Sequence, residues 1–430
     1  MTFKPVQRLD VTRTLASGER LAVGVLAQNR QGIFFQYHQE YLRQYGNLSP
    51  FSLRPSAELQ RAPREPHGGL HGVFADALPD GWGLLLQDRL FRQHGILPVQ
   101  VTPLDRLAFV GSSGIGALSF APASGYCPVA DDTIDLHTLG REAQALFDGQ
   151  TEQVLAALAA AGSSGGARPK AQVYARPEEP GRCTTLARPG DEAWLVKFSS
   201  RNLPLGHEEG QCEAIFLSLA KRARLEPPEW TLLPAAPGSG AEVWLAVKRF
   251  DWLANKTATA GRLHMHSACG LLDADFRAPS LDYEDLIKAS RHLCKSPAVG
   301  RLQFRRALFN LFACNQDDHS KNWAFLQTDQ GEWLPAPFYD VTFSPHPFGE
   351  HATAFVGHGN APTLKAVQTL AMRAGFSSWP EARACILELL EVLAEFEPLA
   401  REYGLSRKTI GLISAQLKRV RDANAGLITI

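Results

Sequence analysis

The sequence predicts an α+β molecule of two lobes: a β-rich N-lobe carrying an extra N-terminal subdomain, and an all-α C-lobe. Three observations point there. Short β-like apolar runs are confined to the stretch before about residue 252. Beyond about residue 260 apolar residues recur at helical spacing instead, in five long segments. Between two of these lies a polar octet, Asn315-Gln316-Asp317-Asp318-His319-Ser320-Lys321-Asn322, clamped by the apolar runs 307–313 and 323–326. A chain of 430 residues has room for two or three domains. The expected boundaries are 1–125 for the N-terminal subdomain, 126–252 for the N-lobe and 253–430 for the helical C-lobe.

Within the first segment, 21–27 and 32–37 read as two strands around a turn. Pro50, Pro55, Pro63 and Pro66 punctuate a loop, and 82–91 has the spacing of an amphipathic helix. Gly111-Ser112-Ser113-Gly114-Ile115-Gly116 is not in the order of a dinucleotide fingerprint and reads as a tight turn before a strand. Helices are expected over 133–150 and 152–161. The small-residue loop Gly162-Ser163-Ser164-Gly165-Gly166-Ala167-Arg168-Pro169-Lys170 follows and runs into a β-like segment. Such a loop lets backbone N–H groups approach phosphate oxygens without Cβ interference, although the Walker pattern is absent.

Strands at 192–198 and 241–251 flank a helix at 208–223. The first strand holds a lone lysine, Lys197, which must reach an edge or meet an anion. Glu213 on the helix is the carboxylate placed to orient it. The second strand ends in Lys248-Arg249-Phe250-Asp251, where a connector between lobes would begin. The last helix, 406–424, presents Ile410, Ile413, Leu417 and Val420 on one face. Arg407, Lys408, Lys418, Arg419 and Arg421 lie on the others, as a solvated surface or a phosphate-contacting patch.

Composition narrows the function classes. The chain is 45% hydrophobic and 20% charged, with 44 basic and 44 acidic residues, so no global field drives it onto nucleic acid or an anionic membrane. Seven scattered cysteines without a C-x-x-C pair argue against a disulfide framework and suit a reducing compartment. No signal-peptide pattern or membrane-length apolar run occurs, so a soluble, cytoplasmic protein without membrane contact is expected.

A polar cluster between buried segments is costly unless its charges meet a metal, a substrate or each other. The order of the octet suits phosphoryl transfer. Asp317 is placed as catalytic base and Lys321 as a cation for transferring charge. Asn322, with Asp340 of the later Phe338-Tyr339-Asp340-Val341, supplies magnesium ligands. Lys197 would grip the nucleotide's α/β-phosphates under the cover of the 164–170 loop. Two other arrangements remain open: a capped turn with a buried salt bridge, and a metal hydrolase that recruits His264-Met265-His266. Cys314 reads as a buried structural thiol.

These residues, in this order, resemble the HipA-type serine/threonine kinases, toxin components of bacterial toxin–antitoxin pairs. Gly166-Ala167-Arg168-Pro169-Lys170 is similar to the family's phosphate loop. Asn315-x-Asp317-x-His319-x-Lys321-Asn322 is similar to its catalytic loop, and Tyr339-Asp340-Val341 to its metal-binding segment. The stretch from Gly32 through Asp80-Gly81 resembles the N-terminal subdomain of full-length HipA proteins. The resemblance implies a protein-kinase-like bilobal fold and use of ATP and Mg2+. The cofactor-contacting set it implies is Ser164, Gly165, Gly166, Ala167, Arg168, Lys170, Lys197, Lys248, Phe250, Asp251 and His319.

It further implies phosphorylation of a protein target such as an aminoacyl-tRNA synthetase, and self-phosphorylation at Ser163 or Ser164 that switches the kinase off. The implied partner is a HipB-like helix-turn-helix antitoxin, with operator DNA reached through that complex. A catalytically inactive co-repressor and a small-molecule kinase are the alternatives. Three departures stand out: Arg168-Pro169 in the phosphate loop, Lys248 where a Glu is common, and the acid Asp318.

Overall fold

In the computed structural model, the described residues are 3–127, 134–154, 156–161, 165–176, 183–256 and 259–428. The first segment is built on an antiparallel five-stranded sheet in the order Gln60–Arg61, Gly32–Tyr37, Arg20–Asn29, Arg8–Thr14, Leu118–Ala121. Alternation along Arg8–Thr14 sends Leu9 and Val11 into a core with Phe35, Phe74 and Leu107. The helix Gly81–Gln93 leaves this module and packs Trp82 and Leu86 into a different core, beneath the next sheet.

That second sheet is also antiparallel and five-stranded, ordered Cys183–Thr184, Lys170–Ala175, Glu192–Lys197, Val243–Lys248, Trp230–Pro234. Lys170 and Lys197 are direct partners in its register, so two ammonium groups start from neighbouring positions at one end of the sheet. The helix Glu209–Arg222 crosses nearby with Glu213 buried among apolar neighbours.

The second half centres on the helix Pro297–Ala313. Its apolar surface meets the helices Tyr283–Cys294, Leu364–Ala374 and Trp379–Leu393 in the largest core. The final helix, Arg407–Ala423, buries Ile410 and Ile413 against the same core, with Leu417 and Val420 half-buried beside them.

The all-α description of this half is corrected. His264–Ser267, Ala324–Gln327 and Trp333–Pro335 form a three-stranded antiparallel sheet whose middle strand begins just after the polar octet. Arg13, buried at 0% exposure, reaches from the first sheet to this one and donates to Gln327 Oε1 at 3.0 Å and the Thr328 carbonyl at 3.1 Å. The N-terminal module is thus fastened to the far half of the chain as well as to its sequence neighbour. Among the described residues, no helix is long and apolar enough to cross a membrane.

Candidate functional site

A cavity of about 560 Å3 opens where the three sheets and the polar octet meet. Lys170, Lys197, Glu213, Asp317, Lys321, Asn322 and Asp340 all line it. Its apolar wall includes Leu195, Leu217, Val247 and Phe250, with Ile115 and Leu118 contributed by the N-terminal module. The cavity thus sets an apolar wall beside a cluster of cations, the mix typical of a small-molecule pocket.

The charged floor begins with Lys197. Its Nζ lies 2.6 Å from Glu213 Oε1 and also contacts Asp340 Oδ1. Burial alone would lower the lysine's pKa, but Asp340 and Glu213 reverse this and hold it above its ordinary value. For Asp340, burial would raise the carboxyl, and Lys197 and Lys170 hold it well below the usual carboxylate range. Asp340 also sits at φ +52, a left-handed conformation uncommon for a residue with a Cβ. Lys170 is the opposite case. Burial pulls its ammonium down to about 8 despite Asp340, and its Nζ donates to the Gly165 carbonyl at 2.7 Å.

The polar octet follows the left-handed cap at Cys314, which ends the Pro297–Ala313 helix. Asp317 is exposed to the cavity, and the enclosure there pushes its carboxyl up. His319 opposes that shift from 3.7 Å, and Asp340 adds to it. Asn322 closes the turn by donating Nδ2 to the Asp317 carbonyl at 2.7 Å. Its amide oxygen and the Asp340 carboxylate are hard oxygen donors lining the same cavity, the ligand type that could hold a magnesium ion.

Asp318, unexplained by its sequence position, is a buried hub. It accepts from Tyr283 Oη at 2.5 Å and the Ala352 N–H at 2.9 Å, and pairs with His351 Nδ1 at 2.9 Å.

Several expectations change in detail. Arg168 does not stand free over the cavity: its Nη1 pairs with Glu209 Oε2 at 3.0 Å and approaches Glu213 at 4.0 Å. Lys248 lines the cavity with its ammonium paired to Glu192 at 2.7 Å and Glu229 at 3.2 Å. Asp251 also lines the cavity. It is 1% exposed, accepts the Gly116 N–H at 2.7 Å and pairs with Arg249, so its carboxylate braces the wall. Phe250 does face the cavity, 5.6 Å from the Tyr339 ring.

Lys321 pairs with Asp80 Oδ2 at 2.5 Å and lies 4.2 Å from the Phe276 ring centre. Gly165, Gly166 and Ala167 line the cavity, while Ser163 and Ser164 lie outside the described residues. The Gly111–Gly116 stretch is the turn expected before a strand, with Ile115 at the cavity wall.

The His264-Met265-His266 metal alternative does not assemble. His266 Nδ1 pairs with Asp76 at 2.6 Å and Nε2 with Ser49 Oγ at 2.8 Å, while His264 Nε2 meets the Leu48 carbonyl at 3.0 Å. Both rings therefore bind the N-terminal module, and burial keeps His264 well below its ordinary pKa. Cys314 is buried and its thiol is pushed up by burial, as suits a structural residue.

Asp80, Phe276 and Arg277 line the cavity without having been singled out for it. Asp80 lies in an ordinary Leu-Pro-Asp-Gly turn, which carries no local signal of a partner 241 residues away.

Two family models match the chain: "HipA N-terminal domain" over residues 17–121 and "HipA-like C-terminal domain" over residues 162–396. The putative kinase Y4mE of Sinorhizobium fredii is 29% identical over 138 residues, which is 30% of this chain and only 31% of that protein's length. A chain of the Shewanella oneidensis MR-1 toxin–antitoxin complex of HipA, HipB and operator DNA shares the fold with TM-score 0.67 and 17% identity. That match covers 97% of this chain and 96% of the other. The Helicobacter pylori proinflammatory kinase CtkA matches 56% of this chain and 90% of its own at 12% identity and TM-score 0.39.

Proposed function

The chain belongs to the HipA family, and from that premise we propose that it is an ATP- and magnesium-dependent protein kinase acting on serine or threonine. One observation carries the reading. Lys197 with its orienting Glu213, the base candidate Asp317 and the oxygen donors Asn322 and Asp340 come from four separate stretches of sequence, and all line one cavity. Phosphoryl transfer asks a protein mainly for position and charge, which is what this set provides.

In the proposed mechanism Lys197 holds the α/β-phosphates, with its direction set by Glu213. Asn322 and Asp340 would hold magnesium, which would supply charge neutralisation for the transferring group. Asp317 accepts the proton of the attacking hydroxyl, and its raised pKa brings it closer to a working base. The backbone of Gly165–Ala167 covers the phosphates, and Leu195, Val247 and Phe250 take the base.

The natural targets of this reading are a component of translation such as an aminoacyl-tRNA synthetase and the chain's own Ser163 or Ser164. A HipB-like antitoxin is the proposed partner, because the Shewanella HipA structure contains HipB and operator DNA. DNA would be reached through that complex.

Incubating the protein with radiolabelled ATP, magnesium and a bacterial lysate tests the proposal. Label in one foreign protein band and in the peptide holding Ser163 and Ser164 is the expected result. Label confined to small metabolites would assign a small-molecule kinase instead. An absence of label and of any ATP-dependent thermal shift would assign an inactive co-repressor.

A further inference from the structure

Asp80 lies within the N-terminal module, in the Leu78-Pro79-Asp80-Gly81 turn from which the helix Gly81–Gln93 departs. Its two carboxylate oxygens serve two different loops of the site. Oδ1 accepts the backbone N–H of Gly166 in the phosphate loop, and Oδ2 holds Lys321 Nζ of the polar octet at 2.5 Å.

The residues after it strengthen the grip. The Trp82 N–H donates to the Gly166 carbonyl at 2.9 Å, and Trp82 Nε1 donates to the Lys170 carbonyl at 2.8 Å. Gly81 lies at φ +44, and a Cβ there would stand 2.7 Å from the Gly166 oxygen. The module's backbone therefore runs against the phosphate loop with no room between them.

The charges agree with a bridge. Burial would raise the Asp80 carboxyl, but Lys321 and the Gly166 N–H outweigh it, so the group remains a carboxylate. Lys321 in turn has its carboxylate partner in Asp80 of a distant module, not in Asp317 four residues before it. A lysine on its four-carbon stem is otherwise free to rotate, and ordering it before substrate arrives removes an entropic penalty from the reaction.

We propose that Asp80 is a positioning residue of the phosphotransfer site: it sets the Lys321 ammonium and the Gly166 backbone relative to each other and makes the N-terminal module a working part of the catalytic centre. This rests on the kinase reading above. Asp80→Asn keeps the side chain's shape and an acceptor for Gly166 while removing the charge that faces Lys321. Asp80→Ala removes both contacts.

The test compares the full chain with Asp80→Asn, Lys321→Met, the double variant and Asp80→Ala. Asp80→Asn is expected to lower kcat about 10- to 100-fold while KM for ATP stays within about threefold, the pattern of a misplaced group in a formed pocket. The double variant should be no slower than Lys321→Met, because both changes act through one ammonium. In Asp80→Ala, amide exchange of Gly165–Lys170 should quicken about tenfold or more, with the Pro297–Ala313 helix unchanged.

Losses that multiply in the double variant, or unchanged exchange at Gly166 in Asp80→Ala, would overturn the proposal. An inactive wild-type protein would instead overturn the kinase reading. The exchange measurement then still decides whether Asp80 holds the loop, since it needs no turnover.

Discussion

The polar octet and the phosphate loop face each other across one cavity and are held in place differently. The octet is fixed by short, buried hydrogen bonds centred on Asp318, with Asn310 linking Tyr283 at 3.1 Å to Asn315 at 2.9 Å. Its backbone is also laced to the segment after Asp340: Gln316 N–H reaches the Ser344 carbonyl at 3.0 Å, and Ser344 N–H the Cys314 carbonyl at 3.1 Å. The phosphate loop is tied by the Trp82 N–H on the Gly166 carbonyl and the Phe198 N–H on the Pro169 carbonyl, both at 2.9 Å, and otherwise leans on charge. Arg168 to Glu209, Asp80 to Gly166 and Lys170 to Gly165 are contacts made by charged side chains. Groups tied mostly to backbone in the interior are insulated from salt, whereas an ion pair that reaches water, such as Arg168 with Glu209, weakens with it. The contrast assigns the octet to fixed geometry and the loop to a cover that charge can adjust.

The contrast breaks first at Asp317, which projects from the rigid side without supporting it. Asp317→Ala is expected to lower phosphate transfer by about 10²–10⁴-fold while leaving the urea midpoint nearly unchanged. Wild-type transfer in that variant, measured with radiolabelled ATP, would place the base elsewhere. Its neighbour should behave in the reverse way. Asp318→Ala strands Tyr283 and two backbone N–H groups in the interior, so a loss of about 3–5 kcal/mol in urea unfolding is expected. A loss below about 1 kcal/mol would mean the octet is not held as described.

The loop's dependence on charge is sharpened by pH. The Lys170 ammonium is pulled from 10.5 to about 8. Below about 8 it is charged folded and unfolded alike, and burial opposes folding in full. Between about 8 and 10.5 the unfolded chain holds a proton that the folded one lacks, so this group's effect on stability improves as pH rises. Nucleotide phosphates favour the charged form, so above pH about 8 binding should take up as much as about one proton. Calorimetry in buffers of different ionisation enthalpy reads that uptake, and Lys170→Arg should abolish it.

The smallest effect is expected at Glu209→Gln, which frees Arg168. A rise of about threefold in KM for ATP, fading at high salt, is the signature of a partly exposed ion pair. A salt-independent change would place the loop's anchor elsewhere.

Much of the polar site could be read because its spacing is local. Asp317, Lys321 and Asn322 fall within six residues, and the turn that unites them is closed by Asn322 on the Asp317 carbonyl. The lone lysine in an apolar strand likewise announced a need for an anion, which Glu213 and Asp340 meet. The strands of the third sheet were not visible as strands. They are four, four and three residues long, too short for alternation to register, and they lie among strong helical patterns. Asp318 could not be told from Asp317 by residue type. Only burial separates the hub from the group that faces the cavity.

What the sequence determined by itself is the longer elements and the chemistry of their short-range neighbours, because hydrophobic period and turn composition act over a few residues. What only the tertiary structure decided is which charge meets which. Arg168 chose Glu209, Lys248 chose Glu192, and Lys321 chose Asp80 across 241 residues. An ion pair depends on distance in space, through the packing of three sheets around one cavity, and distance along the chain says almost nothing about it.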